Sequence, residues 1–348
     1  NITPSHKPDI KVSFPIDIRI RNGLYYIVSV ILSRQYFKDP FMLDSLSRFG
    51  VAEVNKIDLE EQRLLVRPLH YDENDPRISF TLIDEFMSFK KDNALEERMG
   101  FIFHMSRCGS TLITQMLASS ERFFVVSEPP IINRLLDPAL SLNGNYTKDD
   151  LFAALISTIE SCKPRSAEFT FIKFRSWNTL FADKVIKSFT STRLMFIHRN
   201  GLEILESVLR DPPGWLRSRE IYAKYFFPFL EMDEDGLKSI NDNEYIARML
   251  GAFCRKIGNL NLKRAFLLNY ENLKGSFYND MGKKWSIFLS GQEVKLMDEV
   301  SKLYSKDKNR LKIFESDSEI KRAKATQKQK ELIQAFTESE RTKLANAS

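Results

Sequence analysis

Five short apolar segments in the middle of the chain constrain its fold more than any other feature. They are separated by long stretches with helical spacing and lie at residues 100–103, 123–126, 169–174, 194–197 and 265–268. Strands so far apart in sequence need crossover connections, and crossovers built on helices join parallel neighbours. The pattern predicts an α/β fold with a parallel sheet flanked by helices.

The first 95 residues follow a different pattern. Asn22-Gly23 separates an alternating segment from an apolar one, which is the signal of a two-residue hairpin. A second candidate hairpin turns at residues 72–75, between 64–66 and 78–82. We therefore predict a small β-containing section at 1–95, an α/β domain at 96–315 and a charged segment at 316–348 with one or two exposed helices.

Charge and cysteine content limit the classes of partner. The formal charge is +6, but the 52 basic residues are scattered among 46 acidic ones, so nucleic acid is not an expected partner. The cysteines, at 108, 162 and 254, show no metal or redox spacing, which favours a reducing compartment. No apolar run approaches the roughly 20 residues that span a bilayer. The prediction is a cytoplasmic protein without a membrane partner, whose oligomeric state the sequence leaves open.

The segment after the first predicted strand has the features of a phosphate loop. A strand leads through residues 104–111 into an apolar-faced helix, and the amides of such a loop bind phosphate oxygens together with the positive helix end. Compared with the pattern G-x-x-x-x-G-K-[ST], the loop replaces the Lys by Ser110 and carries a cation three residues earlier, at Arg107. A plain helix cap at Ser106 or Ser110 is the alternative. The predicted nucleotide contacts here are Ser106, Arg107, Cys108, Gly109, Ser110 and Thr111.

A second motif of chemical interest follows the fourth predicted strand. Arg199 ends that strand, and Ser207 follows eight residues later on the next helix. A guanidinium and a hydroxyl on facing elements suit a phosphate with nearly two negative charges. Arg210 lies one helical turn after Ser207 and is placed to reinforce the pair. The alternative is a surface arginine and a helical serine at a chance separation.

Together these motifs resemble the sulfotransferase family that uses 3′-phosphoadenylyl sulfate (PAPS). The Arg-x-Gly-Ser-Thr-Leu loop at 107–112 is most similar to the tyrosylprotein and trehalose sulfotransferases, whereas the steroid and phenol enzymes usually carry Trp in place of Leu112. Tyr270-Glu271-Asn272-Leu273 resembles a further family motif that mainly supports the fold. The resemblance extends over about residues 100–275. It implies a P-loop-like sulfotransferase fold, PAPS as donor with 3′-phosphoadenosine 5′-phosphate (PAP) as product, no metal, and in-line transfer to a hydroxyl or amine of a small molecule or specialised metabolite.

The resemblance also implies catalytic roles. Arg107 is the first candidate for the cation beside the leaving phosphate oxygen, and Lys173 is the second. Arg175 stands where the cytosolic enzymes have their catalytic histidine, and an arginine cannot act as a base. Glu128 matches the glutamate that tyrosylprotein-type enzymes use as general base. The alternatives are a helix cap for Glu128 and a solvated strand end for Lys173.

Two other functions remain open on the sequence. A small-molecule kinase or other nucleoside triphosphate-binding P-loop protein requires a Gly-Lys pair and a strand-end Asp for Mg²⁺, but the chain has Gly109-Ser110 and His198-Arg199 at these places. A nucleotide-binding protein without turnover is the other alternative. A basic run at 306–312 is either a loop over the 3′-phosphate or a solvated surface.

Overall fold

The computed structural model describes residues 10–38, 46, 51–53, 69–88, 93–142, 145–260, 265–303 and 317–346. Its centre is a five-stranded parallel sheet, and all five predicted apolar segments form its strands. The strands are β6 (Met99–His104), β7 (Phe123–Ser127), β8 (Phe169–Lys173), β9 (Arg193–His198) and β10 (Ala265–Asn269). Their order across the sheet is β10-β9-β6-β8-β7, so the loop after β6 lies between the ends of its neighbours β8 and β9. The prediction of a parallel α/β fold is confirmed.

Helices connect the strands and cover the sheet. Four of them follow strand ends at the predicted site: α2 (Ser110–Ala118), α3 (Pro130–Leu136), α5 (Ala182–Lys187) and α6 (Gly201–Arg210). The other helices up to residue 303 are α1 (Ile83–Phe86), α4 (Lys148–Ser161), α7 (Gly214–Arg217), α8 (Arg219–Leu230), α9 (Glu234–Ser239), α10 (Asp242–Gly258), α11 (Leu273–Trp285) and α12 (Gly291–Ser301). Short 3₁₀ turns lie at Arg34–Lys38, Asn93–Arg98, Ser176–Phe181 and Tyr270–Asn272.

Aromatic side chains fill both faces of the central sheet. On one face Phe101 packs edge-on against Phe152 of α4, with ring centroids 6.3 Å apart. Phe103 stacks on Phe174 at 4.6 Å. Strands that are buried on both faces read as continuous apolar runs rather than as alternating ones, which explains the sequence pattern of this region.

A separate antiparallel sheet precedes the parallel one. It consists of β1 (Lys11–Arg21), β2 (Leu24–Ser33) and β5 (Ile78–Leu82) in that order, and β3 (Ala52–Glu53) pairs with β4 (Leu69–His70) beside it. Asn22 and Gly23 turn between β1 and β2 with φ of 50° and 77°, as a type I′ hairpin requires, so this predicted hairpin is confirmed. In the second predicted hairpin, 78–82 is strand β5, while 64–66 lies outside the described residues. The division of the chain at residue 95 stays a prediction.

The C-terminal segment is helical and packs against the α/β layer. It contains α13 (Ser318–Lys324), α14 (Gln327–Ile333), a π-helical turn (Gln334–Glu338) and α15 (Ser339–Asn346). A Cβ at Gly251 of α10 would lie 2.0 Å from the carbonyl oxygen of Phe336, so the two backbones touch. Because Ile333 and Leu344 are buried in this contact, the prediction of exposed helices was wrong for one face of the segment. Within the described ranges, no helix combines the length and apolarity needed to cross a membrane.

Candidate functional site

The loop between β6 and α2 has an unusual backbone. Ser106, Arg107 and Gly109 have φ of 76°, 45° and 84°. These values lie in the left-handed region, which residues other than glycine seldom adopt. Such residues cluster at functional sites, where the surrounding structure maintains the strain. Gly109 is the residue that precedes the first turn of α2, and α2 has no side-chain cap there. The alternative of a serine cap at this helix is therefore wrong.

The loop amides are available to a ligand. Among the residues that the structure describes, no acceptor receives a hydrogen bond from the amides of Arg107, Cys108 or Gly109. The thiol of Cys108 instead donates to the carbonyl of Ile197, with Sγ 3.1 Å from the oxygen, and burial raises the pKa of this thiol to about 12. Cys108 therefore joins the loop to β9 as a neutral group, and the three amides without an acceptor directly precede the positive end of α2.

His104 joins the loop to β8. Its Nε2 lies 3.0 Å from the carbonyl oxygen of Phe174, and its Nδ1 accepts a 3.1 Å hydrogen bond from the amide of Ser106. Burial and the neighbouring charge of Lys173 lower the pKa of His104 to about 3. The imidazole is therefore neutral near pH 7 and donates through Nε2, so it orients the loop and does not carry protons.

Arg107 reaches away from the loop toward the end of α6. Its Nη2 lies 2.6 Å from Asp211 Oδ2 and 2.6 Å from the Asp211 carbonyl oxygen. The Arg107 side chain is 20% exposed, against 63% for Asp211. Arg107 therefore lies at the rim of the loop and pairs with a solvated carboxylate. An ion pair with such an exposed partner contributes little to stability.

Glu128 and Lys173 form a close ion pair at the ends of β7 and β8. Lys173 Nζ lies 2.6 Å from Glu128 Oε1, and Arg175 Nε lies 3.5 Å from Glu128 Oε2. The Lys173 side chain is 4% exposed and that of Glu128 is 31% exposed. Lys173 is therefore not a solvated strand end. Because α3 has Pro129 before its first turn and no side-chain cap, Glu128 is not a helix cap either.

The backbone of Glu128 is held in a strained conformation. Its φ is 53°, its amide donates to the Lys173 carbonyl at 2.7 Å, and Asn133 Nδ2 donates to its carbonyl at 3.0 Å. Burial raises the pKa of Glu128, but the charges of Lys173 and Arg175 outweigh it and lower the pKa to about 2. Glu128 is thus an ionised carboxylate whose one oxygen faces a buried ammonium and whose other faces Arg175.

A second group of charges surrounds the end of β9. Arg199 Nε lies 2.5 Å from Glu203 Oε2, and both side chains are nearly inaccessible, at 7% and 1% exposed. Ser207 is buried and its hydroxyl donates to the Glu203 carbonyl at 2.8 Å. The structure therefore brings Arg199 and Ser207 onto the same side of α6, one helical turn on either side of Glu203. Arg199 is not a surface arginine.

The C-terminal segment supplies further groups to this cluster. The hydroxyl of Ser318 lies 3.0 Å from Arg199 Nη2 and donates to Glu203 Oε2 at 2.9 Å. Arg322 Nη1 lies 3.2 Å from Glu203 Oε1. Asp317 contacts two cations, Arg210 at 3.8 Å and Lys321 at 2.7 Å. With four cations and two carboxylates, the cluster has a net charge of two positive charges. We call this group the Arg199 cluster, and its members are Arg199, Glu203, Ser207, Arg210, Asp317, Ser318, Lys321 and Arg322.

Tyr270 connects the phosphate loop with this charged cluster. The guanidinium of Arg199 lies over the Tyr270 ring, 4.1 Å from its centroid, a cation–π arrangement. The opposite contact is with the loop, because a Cβ at Gly109 would lie 2.5 Å from two carbons of the same ring. The aromatic ring therefore fixes the distance between the two candidate phosphate sites.

Replacing Gly109 with alanine is expected to destabilise the protein. The new Cβ would meet the Tyr270 ring, and the residue would also have to keep φ at 84°, so we expect the free energy of unfolding to fall by more than about 1 kcal/mol. Gly275→Ala is the matched control, because no described atom lies within 4 Å of that Cβ in helix α11. We expect it to raise the free energy by about 0.4–1 kcal/mol. Urea unfolding measures both, and equal values for the two variants would contradict the close contact at Gly109.

Several groups of the site were not predicted from the sequence. Glu203, Asp211 and Ser318 contact the predicted arginines, and Tyr270 was assigned only a supporting role. Glu203 has a visible signal, because it lies four residues after Arg199 in the first turn of α6. Ser318 has none, because it lies 119 residues from Arg199. The basic run at 306–312 lies outside the described residues. Among the residues that the structure describes, no group of three or more His, Cys, Asp or Glu side chains is placed to hold a metal ion.

Three of the solved structures that are similar to the chain are sulfotransferases or sulfotransferase domains. The domain from the Synechococcus PCC 7002 olefin synthase is 14% identical, with 68% of this chain and 94% of the domain covered and a TM-score of 0.38. The domain from the curacin biosynthetic pathway is 16% identical, with 56% and 75% covered and a TM-score of 0.36. Mouse sulfotransferase SULT7A1, solved with PAP, is 14% identical, with 80% and 99% covered and a TM-score of 0.41.

Sequence comparisons add nothing to these structural similarities. No protein-family profile matches the chain, and no curated protein matches it. The function proposed below rests on the residues of the site.

Proposed function

We propose that the protein transfers a sulfuryl group from PAPS to a hydroxyl or amine of a small-molecule acceptor. The observation that carries the proposal is a pair of separate groups of hydrogen-bond donors and cations at the carboxyl edge of the sheet, which we infer to be two anion sites. One is the loop with its free amides. The other is the cluster around the buried Arg199, which Tyr270 holds against the loop. A nucleotide with phosphates at both its 5′ and 3′ positions requires two such sites, whereas a linear triphosphate requires one extended site.

The charges of the two sites match the two ends of the donor. The cluster carries two positive charges, and a 3′-phosphate carries nearly two negative ones. In a buried position such charge-assisted hydrogen bonds are stronger than neutral ones. Arg199, Ser207 and Arg210 are the proposed contacts of the 3′-phosphate. The loop residues Ser106, Arg107, Cys108, Gly109, Ser110 and Thr111 are the proposed contacts of the 5′-phosphate.

Transfer then needs a base for the acceptor and a cation for the leaving group. Glu128 is ionised near neutral pH and accepts the proton of the acceptor O–H or N–H as that atom bonds to sulfur. The bond between sulfur and the 5′-phosphate oxygen breaks at the same time, and PAP leaves with its electron pair. Lys173 and Arg107 are the proposed cations that stabilise the negative charge on the transferred group and on the leaving oxygen.

The ion pair of Glu128 with Lys173 gives the site an order of events. While Lys173 holds Glu128 Oε1, the carboxylate is a weak base, because the neighbouring cation lowers its pKa. In the proposed complex, the sulfuryl group of the donor would lie near the ends of β7 and β8. There it would offer the ammonium of Lys173 a second negatively charged partner besides Glu128. Donor binding would draw Lys173 from Glu128 and raise the basicity of the carboxylate when the acceptor is attacked.

The compartment and the domain division are part of the proposal. The three cysteines are free and buried, as suits a protein of the cytoplasm. The antiparallel sheet contacts the segment that follows α3, since Tyr25 Oη donates to the Ser141 carbonyl at 3.2 Å. We propose that the section up to residue 95 shapes the acceptor side of the α/β domain.

Thermal unfolding with nucleotides tests the donor class. We expect PAP to raise the melting temperature at concentrations above its dissociation constant, because a ligand that binds only the folded state stabilises it. ATP with Mg²⁺ is expected to give a smaller shift, because its phosphates cannot reach both sites. A larger shift with ATP and Mg²⁺ than with PAP would favour the kinase alternative, and no shift with either would contradict both nucleotide sites.

A further inference from the structure

A small cavity lies between α3, α4 and α5, and none of its lining residues belongs to the proposed donor or acid–base sites. Its volume is about 230 Å³. Buried apolar side chains form much of its wall, and two lysines reach its edge. The apolar residues are Leu135, Phe152, Phe181 and Val185, and the lysines are Lys148 and Lys184.

The contacts of the two lysines in this cavity are with a carbonyl oxygen and an aromatic ring. Lys148 Nζ donates to the carbonyl oxygen of Asp137 at 2.9 Å, and Lys184 Nζ lies 5.5 Å from the centroid of the Phe181 ring. Within the described residues, neither lysine forms an ion pair. Neither of these contacts brings a formal negative charge to the ammonium group.

The carboxylates near the cavity are already paired with other cations. Asp149, which also lines it, lies 3.1 Å from Lys187 Nζ. Asp137 lies 3.8 Å from Arg134 Nη1. After these two pairs are counted as neutral, the cavity retains two positive charges beside an apolar wall.

The state of Lys148 agrees with this excess. Burial lowers its pKa, Asp137 raises it, and the charges of Lys184 and Arg134 lower it further, to about 8. The charged form of Lys148 is thus held at a cost in free energy. An anion in the cavity would remove much of that cost, because an opposite charge favours the protonated amine.

We propose that this cavity binds a small amphipathic anion, with a carboxylate or sulfate head between Lys148 and Lys184 and an apolar body against Phe152 and Phe181. Its volume lies below the roughly 300–1,000 Å³ of drug-sized ligand pockets, so the ligand has a short hydrocarbon body. The site goes beyond the proposed transfer reaction, and its occupation requires neither PAPS nor Glu128.

Calorimetric titration with three six-carbon probes tests the site. Hexanoate and hexyl sulfate carry the two candidate heads, and hexylammonium has the same body with the opposite charge. We expect one or both anions to bind and hexylammonium not to bind. Binding of hexanoate alone identifies a carboxylate site, and binding of hexyl sulfate alone identifies a sulfate ester site. If hexylammonium binds as tightly as the anions, or if none of the three binds, the proposal is wrong.

Lysine variants locate the bound anion. Lys184→Met is expected to weaken binding of the anion by about 10-fold or more, because a hydrogen bond to a charged group contributes about 1.5–3 kcal/mol. Lys148→Met should act in the same direction. Lys224→Met is the matched control, since Lys224 also lies over an aromatic ring, 5.1 Å from the Tyr225 centroid, but outside the cavity. Lys184 is exposed, so its variant keeps the test valid if Lys148→Met does not fold.

Competition with PAP separates this site from the donor site. We expect hexanoate or hexyl sulfate to bind equally well with and without saturating PAP. Displacement of the anion by PAP would show that it occupies the donor site, and would overturn the inference while leaving the proposed function intact. Failure of PAP to bind would instead count against the proposed function and leave the anion titration unaffected.

Discussion

Glu128→Gln is expected to lower the turnover number by about 10²–10⁴-fold, which is the usual contribution of a general base. Glutamine keeps the size and one hydrogen-bond acceptor next to Lys173 but cannot take a proton from the acceptor. The affinity for PAP should change little, because Glu128 does not belong to either anion site. The rate of PAP release from PAPS measures the effect, with the acceptor that reacts fastest in a panel of alcohols, phenols, sugars and amines.

The matched control for Glu128→Gln is Glu293→Gln. Glu293 is also a mostly buried carboxylate paired with an arginine, 3.2 Å from Arg122, but it caps α12 with its partner Ser290. We expect Glu293→Gln to lower stability and leave the turnover number within a few-fold of the wild type. Unchanged turnover in Glu128→Gln, with the protein folded and binding PAP, would exclude Glu128 as the base.

Arg199→Ala is expected to weaken PAP binding by about 10²–10³-fold, because it removes one member of a buried, hydrogen-bonded charge cluster. The guanidinium of Arg199 is the most buried cation of the Arg199 cluster. Its loss leaves the cluster with one net positive charge instead of two. Glu203 keeps Arg322 and Ser318 as partners, so the free energy of unfolding should fall by only about 1–3 kcal/mol. Calorimetric titration with PAP gives the affinity directly.

Arg248→Ala is a close match for Arg199→Ala. Arg248 pairs with Glu244 of the same helix at 2.9 Å and lies 4.1 Å from the centroid of an aromatic ring, that of Phe336. Its replacement removes the same kinds of contact at a place outside both anion sites. We expect a similar loss of stability and unchanged affinity for PAP. Equal loss of affinity in the two variants would show that the effect of Arg199→Ala is one of general stability.

The two proposed anion sites would account for the absence of a P-loop lysine. In a triphosphate site the lysine neutralises the β and γ phosphates next to the loop, but here Ser110 stands in its place. The corresponding cations lie on other elements, with Arg107 at the loop rim, Lys173 at the end of β8 and Arg199 at the end of β9. Positive charge is therefore distributed along the edge of the sheet, which suits the proposed transfer of a group from a leaving oxygen to a separate acceptor atom.

Much of the fold was predictable because local patterns decide it. The five apolar segments form the strands of the central sheet. They were recognisable because a strand buried on both faces needs a continuous apolar run. Asn22-Gly23 forms the hairpin because both positions tolerate positive φ. The candidate loop and the Arg199–Ser207 pair were also visible, because each lies within one strand, turn and helix unit, where the spacing in sequence determines the spacing in space.

What only the tertiary structure decided depends on contacts between distant segments. The sequence shows Glu128 and Lys173 as separate strand ends, and their 2.6 Å pair exists only because β7 and β8 are neighbours in the sheet. The packing of the C-terminal helices, with Ser318 and Arg322 at Glu203, follows from backbone contact at Gly251 and has no local signal. The same holds for Tyr270 between the two anion sites. The sequence by itself determined which groups bring charge and hydrogen bonds to the strand ends. Which of these groups meet was decided by the order of the strands and the packing of the last helices, because those contacts join residues far apart along the chain.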